Sequence, residues 1–385
     1  MTHDRTIPKL ASVDVFPGLD SGVYLNTAAE GLFMRSHHGA LQRYAEGKQR
    51  GSLCRDEHAA VERRARELSA QAMAARAQDV AFLASTARGL DAAIKSIAWR
   101  SGDNIVLPDS EFPTTVLAAA RLSQLGVERR IAPSRDGRID LEDLRVQVDR
   151  RTRLVVASLV SYKTGHKIDL AAWAEIAHAS GAMLFVDAVQ ALGTVEVDAT
   201  RADFLCGATY KWLLAQHGLA ILYINPSLCH HIAPPYAGYR AVKNLFPADP
   251  DRYEFFPDAR RFEEGMPNFP ALYVLNNALE FLLSIGVDRI AAHNEALATK
   301  LMNGLLAAGI KPLTSTESQS RASIVSFETA EPERIAAELA RRGVHVWGRD
   351  GRLRISPHLY NDEHDIEAVL AHLVELRGSR SRVNA

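Results

Sequence analysis

Cysteine is scarce in this chain: Cys54, Cys206 and Cys229 are the only three in 385 residues, odd in number and far apart. Such a set does not build the disulfide framework of a small secreted domain, and it predicts a reducing, cytoplasmic setting. An excess of either charge is also missing, since 45 basic side chains face 46 acidic ones for a formal net charge of -1. No strong field exists to draw in nucleic acid or an anionic membrane, so neither is expected as a partner. No run of apolar residues is long enough to span a bilayer, and the opening MTHDRTIPKLASVDVFPGLD mixes charges and prolines without an apolar core. Neither a membrane helix nor a signal peptide is expected. Internal repeats and low-complexity tracts are lacking too, and only the polar tail RGSRSRVNA reads as disordered.

What is present is a globular composition, 47% apolar and 24% charged, in a chain long enough for one large core and a smaller one. Between Gln78 and Asn225, apolar strand-like runs alternate with helical patterns: VAFL, NIVL, RLVVASLV, MLFVD, DFLC and LAILYI. That rhythm predicts an α/β domain with a mostly parallel sheet covered by helices on both faces. The helices are read at ARGLDAAIKSIAW, at TTVLAAARLSQ, and from Asp169 to a glycine stop at Gly181. ERRARE near Val61 reads as a solvated helix face. After a loop rich in Pro, Tyr and Arg, an apolar-periodic stretch from Ala271 to Ala308 breaks near Ile285-Gly286 into two helices. Strand, helix, strand, strand, helix then follow, the pattern of a small α+β domain. The expected division is an N-terminal segment, 1–25, packed with the small domain, a large domain, 26–270, and linking helices with the small domain, 271–385.

Three places carry chemistry. In LFVDAVQALG a buried strand ends in Asp187, with Gln190 three residues on. A carboxylate there needs a cation, a metal or a wet cleft, and ligands bind at the carboxyl ends of parallel strands. The plainer reading is an Asp that caps the following turn. In DFLCGATYKWLLAQHGLAILYI, Lys211 sits between two apolar strands. Desolvation there makes an amine nucleophilic, as an imine-forming lysine requires, although a lysine can also snorkel out of such a loop. In VAFLASTARGL a strand turns through Ser85, Thr86 and Ala87 into a helix. Its N-terminus is an anion site or simply a capped helix. The adjacent histidines His37 and His38, and the group Cys229, His230 and His231, lack a second ligand set at metal-site spacing, and no metal is expected.

The motifs SEFPTT, SYKTGH, VDAVQ, TYKWLL, FEEGMPN and LRISPHLYN, in this order, resemble the class V aminotransferase group of fold-type-I pyridoxal-phosphate enzymes over nearly the whole chain. That group includes cysteine desulfurases, selenocysteine lyases, kynureninase and isopenicillin N epimerase. The resemblance implies a seven-stranded, mostly parallel sheet in the large domain and pyridoxal 5'-phosphate as cofactor. Lys211 would carry the cofactor as an imine and then move protons at the substrate Cα, while Asp187 would keep the pyridine nitrogen protonated. Gln190 would meet the phenolic oxygen, with Ser161 or Tyr162 close by, and Phe112 would lie on the ring face. Ser85, Thr86 and Ala87 would cradle the phosphate, with Tyr210 and Thr209 as further donors. Arg354 would bind the substrate α-carboxylate as a bidentate fork. FEEGMPN, including Met266, would reach the phosphate of a partner subunit, which implies a homodimer with shared sites.

Departures from the group's pattern narrow the reaction. Cysteine desulfurases carry a catalytic cysteine shortly before the carboxylate-binding arginine, and RRGVHVWGRDGRLRIS has none. Phe112 stands where desulfurases stack a histidine, Met266 where a small hydroxyl residue is usual, and Ala208 or Thr209 where a serine precedes the lysine. The expected enzyme is therefore a lyase that cleaves the β-substituent of an amino acid without a persulfide cysteine. The alternatives are an aminotransferase or epimerase and, in another class, a non-catalytic regulator that binds the cofactor. Tyr239 and Arg240 are expected to shape the side-chain pocket.

Overall fold

The computed structural model describes residues 6–229, 231–246, 249 and 251–383. His230 and the last two residues of the polar tail lie outside them. The large sheet contains β1 (Val80–Leu83), β2 (Asn104–Pro108), β3 (Glu128–Ala132), β4 (Thr152–Ser158), β5 (Met183–Asp187), β6 (Phe204–Ala208) and β7 (Ala220–Ile224). Their order is β1-β7-β6-β5-β4-β2-β3, with β7 antiparallel to both neighbours and the rest parallel. The sequence reading found six of these strands. β3 escaped it because ERRIA is an edge strand whose first two residues are exposed, so it carries no apolar run.

Helices α1 (His37–Gln49), α2 (Arg55–Gln71), α3 (Thr86–Lys95), α4 (Pro113–Arg121), α5 (Leu141–Gln147) and α6 (Leu170–Ala179) precede or alternate with these strands. Asp169 caps α6 by accepting from Ala171 and Ala172 N–H, and Gly181 follows at φ 81°, a left-handed position that favours glycine. Helices α7 (Phe269–Ile285) and α8 (Val287–Ala307) meet at Gly286 with a bend of 75°. Among the described residues no single helix is long and apolar enough to cross a membrane.

A separate three-stranded sheet holds β8 (Val325–Glu328), β9 (Trp347–Arg349) and β10 (Arg352–Ile355), ordered β8-β10-β9 and antiparallel, with α9 (Pro332–Arg341) and α10 (Glu363–Val383) in the same stretch of chain. Val23–Tyr24 pairs in parallel with Val344–His345. α10 runs into the tail that reads as disordered; Arg377 Nη1 donates to Ala308 O at 2.8 Å, which anchors the helix beyond its apolar face.

ERRARE is a partial correction, because Glu62 and Arg66 of this α2 run are buried. Arg66 Nη2 lies 2.5 Å from both Glu62 Oε1 and Glu263 Oε1, and its Nη1 donates to Val80 O at 2.6 Å. Glu263 also accepts from Phe82 N–H at 3.1 Å. The cluster clamps the FEEGMPN segment to α2 and β1. Arg66→Ala leaves the two buried carboxylates only Arg240 as a cation and should cost up to about 3–5 kcal/mol. Urea unfolding should show this as a lowered midpoint with little change in slope.

Candidate active site

Asp187 is the last residue of β5, in register with Ser158 of β4 and Cys206 of β6. Its Oδ1 accepts from Val189 N–H at 2.9 Å. Burial nevertheless raises its pKa, against the Val189 hydrogen bond and the Lys211 charge. The carboxyl thus stands at the end of the central strand with less positive charge around it than its ionised form demands.

Lys211 comes three residues after β6 in a tight turn. Leu214 N–H donates back to Lys211 O at 3.0 Å, and Leu214 adopts φ 57°, an uncommon conformation for a leucine. Gly31 N–H donates to Tyr210 O at 3.0 Å, and a Cβ on Gly31 would stand 2.1 Å from Lys211 O. Only glycine lets the N-terminal segment press so closely on the lysine's backbone. The side chain is 8% exposed. Burial, then the Arg354 charge, lower its pKa to about 8, with Asp187 and Glu30 pulling the other way.

Both groups face one cavity of about 180 Å³, which α3 closes from one side. α3 comes close to the sheet because Gly89 lies against Cys206; an added Cβ would meet its Sγ at 2.5 Å. Ser85 caps the helix, its Oγ accepting from Arg88 N–H at 3.3 Å. Ser85, Thr86 and Ala87 all line the cavity, so the cap and the anion site are one feature. Thr86 Oγ1 is buried with no hydrogen-bond partner of its own, although it lies towards the Cys206 thiol.

Phe112, Tyr162, Gln190 and Tyr210 also line the cavity. Lys211 Nζ is 5.9 Å from the Phe112 ring centroid and 5.6 Å from that of Tyr210. Phe112 meets Tyr162 edge to face at 5.2 Å. Gln190 is held by two bonds, Nε2 to Ala28 O at 3.0 Å and Oε1 from Trp212 Nε1 at 2.6 Å. One amide N–H remains beyond these two. Arg354 stands behind Tyr162, its Nη1 donating to Tyr162 O at 3.0 Å, and is 4% exposed.

Six expected site residues do not line this cavity: Arg354, which stands behind Tyr162, and five others. Thr209 spends its hydroxyl on Gln216 O at 2.7 Å and Leu219 O at 3.2 Å, closing the turn that carries Lys211. Ser161 Oγ accepts from Lys163 and Thr164 N–H and shapes the SYKTGH turn. Arg240 is drawn away to Glu62 and Glu263, since two buried carboxylates outbid a distant pocket for its charge. Tyr239 and Met266 are 47% and 61% exposed on the same long loop.

Sequence reasoning missed Glu111. Its carboxylate accepts from Ser158 N–H at 2.6 Å and Ser158 Oγ at 2.8 Å. Burial drives its pKa up to about 7, with the Asp187 charge adding to this. The signal was present: in NIVLPDSEFPTT an acid comes three residues after a buried strand, close to the strand-end position that Asp187 occupies.

The donor set fits pyridoxal 5'-phosphate: a depressed lysine for its aldehyde, a carboxyl short of a cation for its pyridine nitrogen, and an unpartnered Thr86 hydroxyl beside helix N–H groups for its phosphate. Comparison with known proteins agrees. A sequence model of the family Aminotransferase class-V matches residues 33–369. An uncharacterized aminotransferase of Bacillus subtilis, YcbU, is 26% identical over 357 residues, 91% of this chain and 94% of its own length. A probable cysteine desulfurase of Methanothermobacter thermautotrophicus is 26% identical over 342 residues, covering 82% and 83%. Among solved structures, the apo cysteine desulfurase of Thermococcus onnurineus superposes with a TM-score of 0.87 at 23% identity, covering 98% of this chain and 99% of that one. The cystine C–S lyase C-DES, solved with cysteine persulfide, gives 0.85 at 21% identity over 93% and 99%. These two structures show the fold, and with the family match over most of its length the chain belongs to the class-V aminotransferases, enzymes that work with pyridoxal 5'-phosphate.

Proposed function

We propose that this enzyme is a lyase that cleaves the β-substituent of an α-amino acid and releases the product directly, without a protein persulfide. The observation that carries this reading is a cavity holding an amine and a carboxyl from successive strand ends, with no thiol among its lining residues. None of Cys54, Cys206 and Cys229 lines the cavity; Cys206 is buried next to Asp187 in the sheet and against Gly89 of α3, and burial pushes the Cys206 and Cys229 thiols up, away from the thiolate that attack requires. The bound cofactor would supply an electron sink for the pair left when a bond at Cα breaks.

The chain's own residues would do the rest. Asp187 would hold a proton on the ring nitrogen, and the α3 N-terminus with Thr86 Oγ1 would bind the phosphate. Phe112 would cover the ring, and the remaining Gln190 N–H would meet the ring oxygen. Arg354 orients the substrate through its α-carboxylate, and Lys211 Nζ takes a proton from Cα and returns one. The site is completed in a homodimer, which the exposed Tyr239, Phe246 and Met266 of the long loop support as a surface awaiting cover. Light scattering should therefore give twice the chain mass, and a monomer would refute the shared site. Three buried thiols with no disulfide among them fit a cytoplasmic enzyme.

The test is a panel of amino acids incubated with the holoenzyme and assayed for pyruvate, alanine, keto acid and inverted isomer. Alanine or pyruvate with released β-group is the expected result. Keto acid formation that needs an amino acceptor would overturn it in favour of aminotransfer, the second reading, which the name of the Bacillus subtilis relative supports.

A further inference from the structure

We propose that Arg352, beside Arg354 on β10, forms with Trp347 and Tyr162 a second anion site that selects amino acids with an acidic side chain. This rests on the reading of Arg354 as the α-carboxylate ligand and adds the substrate class. Arg352 and Arg354 are two apart on a strand and share one face, while Leu353 and Ile355 turn into the small-domain core. Both arginines are buried, at 8% and 4% exposed. Their guanidinium carbons lie 5.0 and 4.9 Å from the centroid of one indole, that of Trp347, and Arg352 is 5.6 Å from the Tyr162 ring. Tyr162 lines the cavity and Arg352 packs on its ring, so Arg352 stands one side chain back from the space where substrate would sit and also borders a second hollow beside Glu328 and Asp350.

Tyr162 takes a hydrogen bond from each arginine, on its hydroxyl from Arg352 and on its carbonyl from Arg354, yet both cations are short of anionic partners. Arg352 Nε and Nη2 and Arg354 Nε are buried without a hydrogen bond. Arg352 meets Asp350 Oδ2 at 3.7 Å, beyond hydrogen-bond reach, and that carboxylate is 71% exposed. Glu328 sits opposite Arg352 in the strand register but is exposed, and the structure records no ion pair between them. Burying two guanidinium groups side by side is unfavourable unless anions arrive to pair with them. One α-carboxylate satisfies one fork; the second fork calls for a second acid on the same molecule.

Carboxylates that lack an amine test this apart from the chemistry at Lys211. Calorimetric titration of the holoenzyme should show succinate or glutarate binding about tenfold or more tightly than butyrate. Arg352→Gln should bring the dicarboxylates down to the butyrate level and leave butyrate near its wild-type affinity, and Arg352→Lys should restore part of the preference. Arg354→Gln should weaken all three. Equal binding of mono- and dicarboxylates by the wild-type protein would overturn the inference without any variant, as would a preference that survives Arg352→Gln. Butyrate binding untouched by Arg354→Gln would instead refute the α-carboxylate reading beneath it.

Discussion

Lys211→Ala should abolish covalent capture of the cofactor, so that borohydride reduction no longer adds its mass to the chain, and should lower kcat by about 10³-fold or more. The size follows from two losses at one atom: the amine that binds the aldehyde and the base that moves the Cα proton. Arg354→Gln, by contrast, should act mainly on KM. The buried setting also gives the apoprotein a pH signature. With its pKa lowered to about 8, the Lys211 amine is mostly protonated and unreactive below that pH and free above it. The rate at which apoprotein captures pyridoxal 5'-phosphate should therefore rise between about pH 7 and about pH 9 and then level off, whereas a solvated lysine would still be rising there. A captured mass in the alanine variant, or a rate still climbing above pH 10, would contradict the assignment.

Asp187→Asn should lower kcat by about 10²–10³-fold while the protein still binds the cofactor phosphate. Asparagine keeps the shape and the Val189 N–H contact but cannot hold a proton on the pyridine nitrogen by charge. Without that proton the ring draws electrons from Cα less strongly, so the loss should fall on kcat with KM little changed. Glu111→Gln serves as a control for burial: it removes the neighbouring acid while leaving Asp187 in place, and should cost far less. An Asp187→Asn enzyme within tenfold of wild type would show that the carboxyl only braces the turn.

How much of this was legible in the sequence depended on whether a residue's role is local. Asp187 and Lys211 were legible because each breaks an apolar run at a strand end, where burial makes an ionisable group conspicuous. The Ser85-Thr86-Ala87 turn was legible as a helix start. Thr209 and Ser161 do not line the cavity because a hydroxyl beside a motif residue serves a backbone carbonyl or N–H as readily as a ligand, and here both serve the backbone. Arg240 was misplaced for a related reason: its partners Glu62 and Glu263 come from distant parts of the chain, and no local pattern announces their meeting. β3 was missed because edge strands carry charge instead of an apolar signature.

The sequence alone determined the alternation of strands and helices and the two ionisable groups at strand ends, since both follow from periodicity and burial along short stretches. Tertiary structure decided the rest: that Gly31 presses on Lys211 from the N-terminal segment, that Glu111 stands beside Asp187, that Gln190 is held between Ala28 and Trp212, and that Arg352 and Arg354 share Trp347. Such pairings join residues far apart in the chain, and their energies depend on distance in space, which neighbours in sequence do not encode.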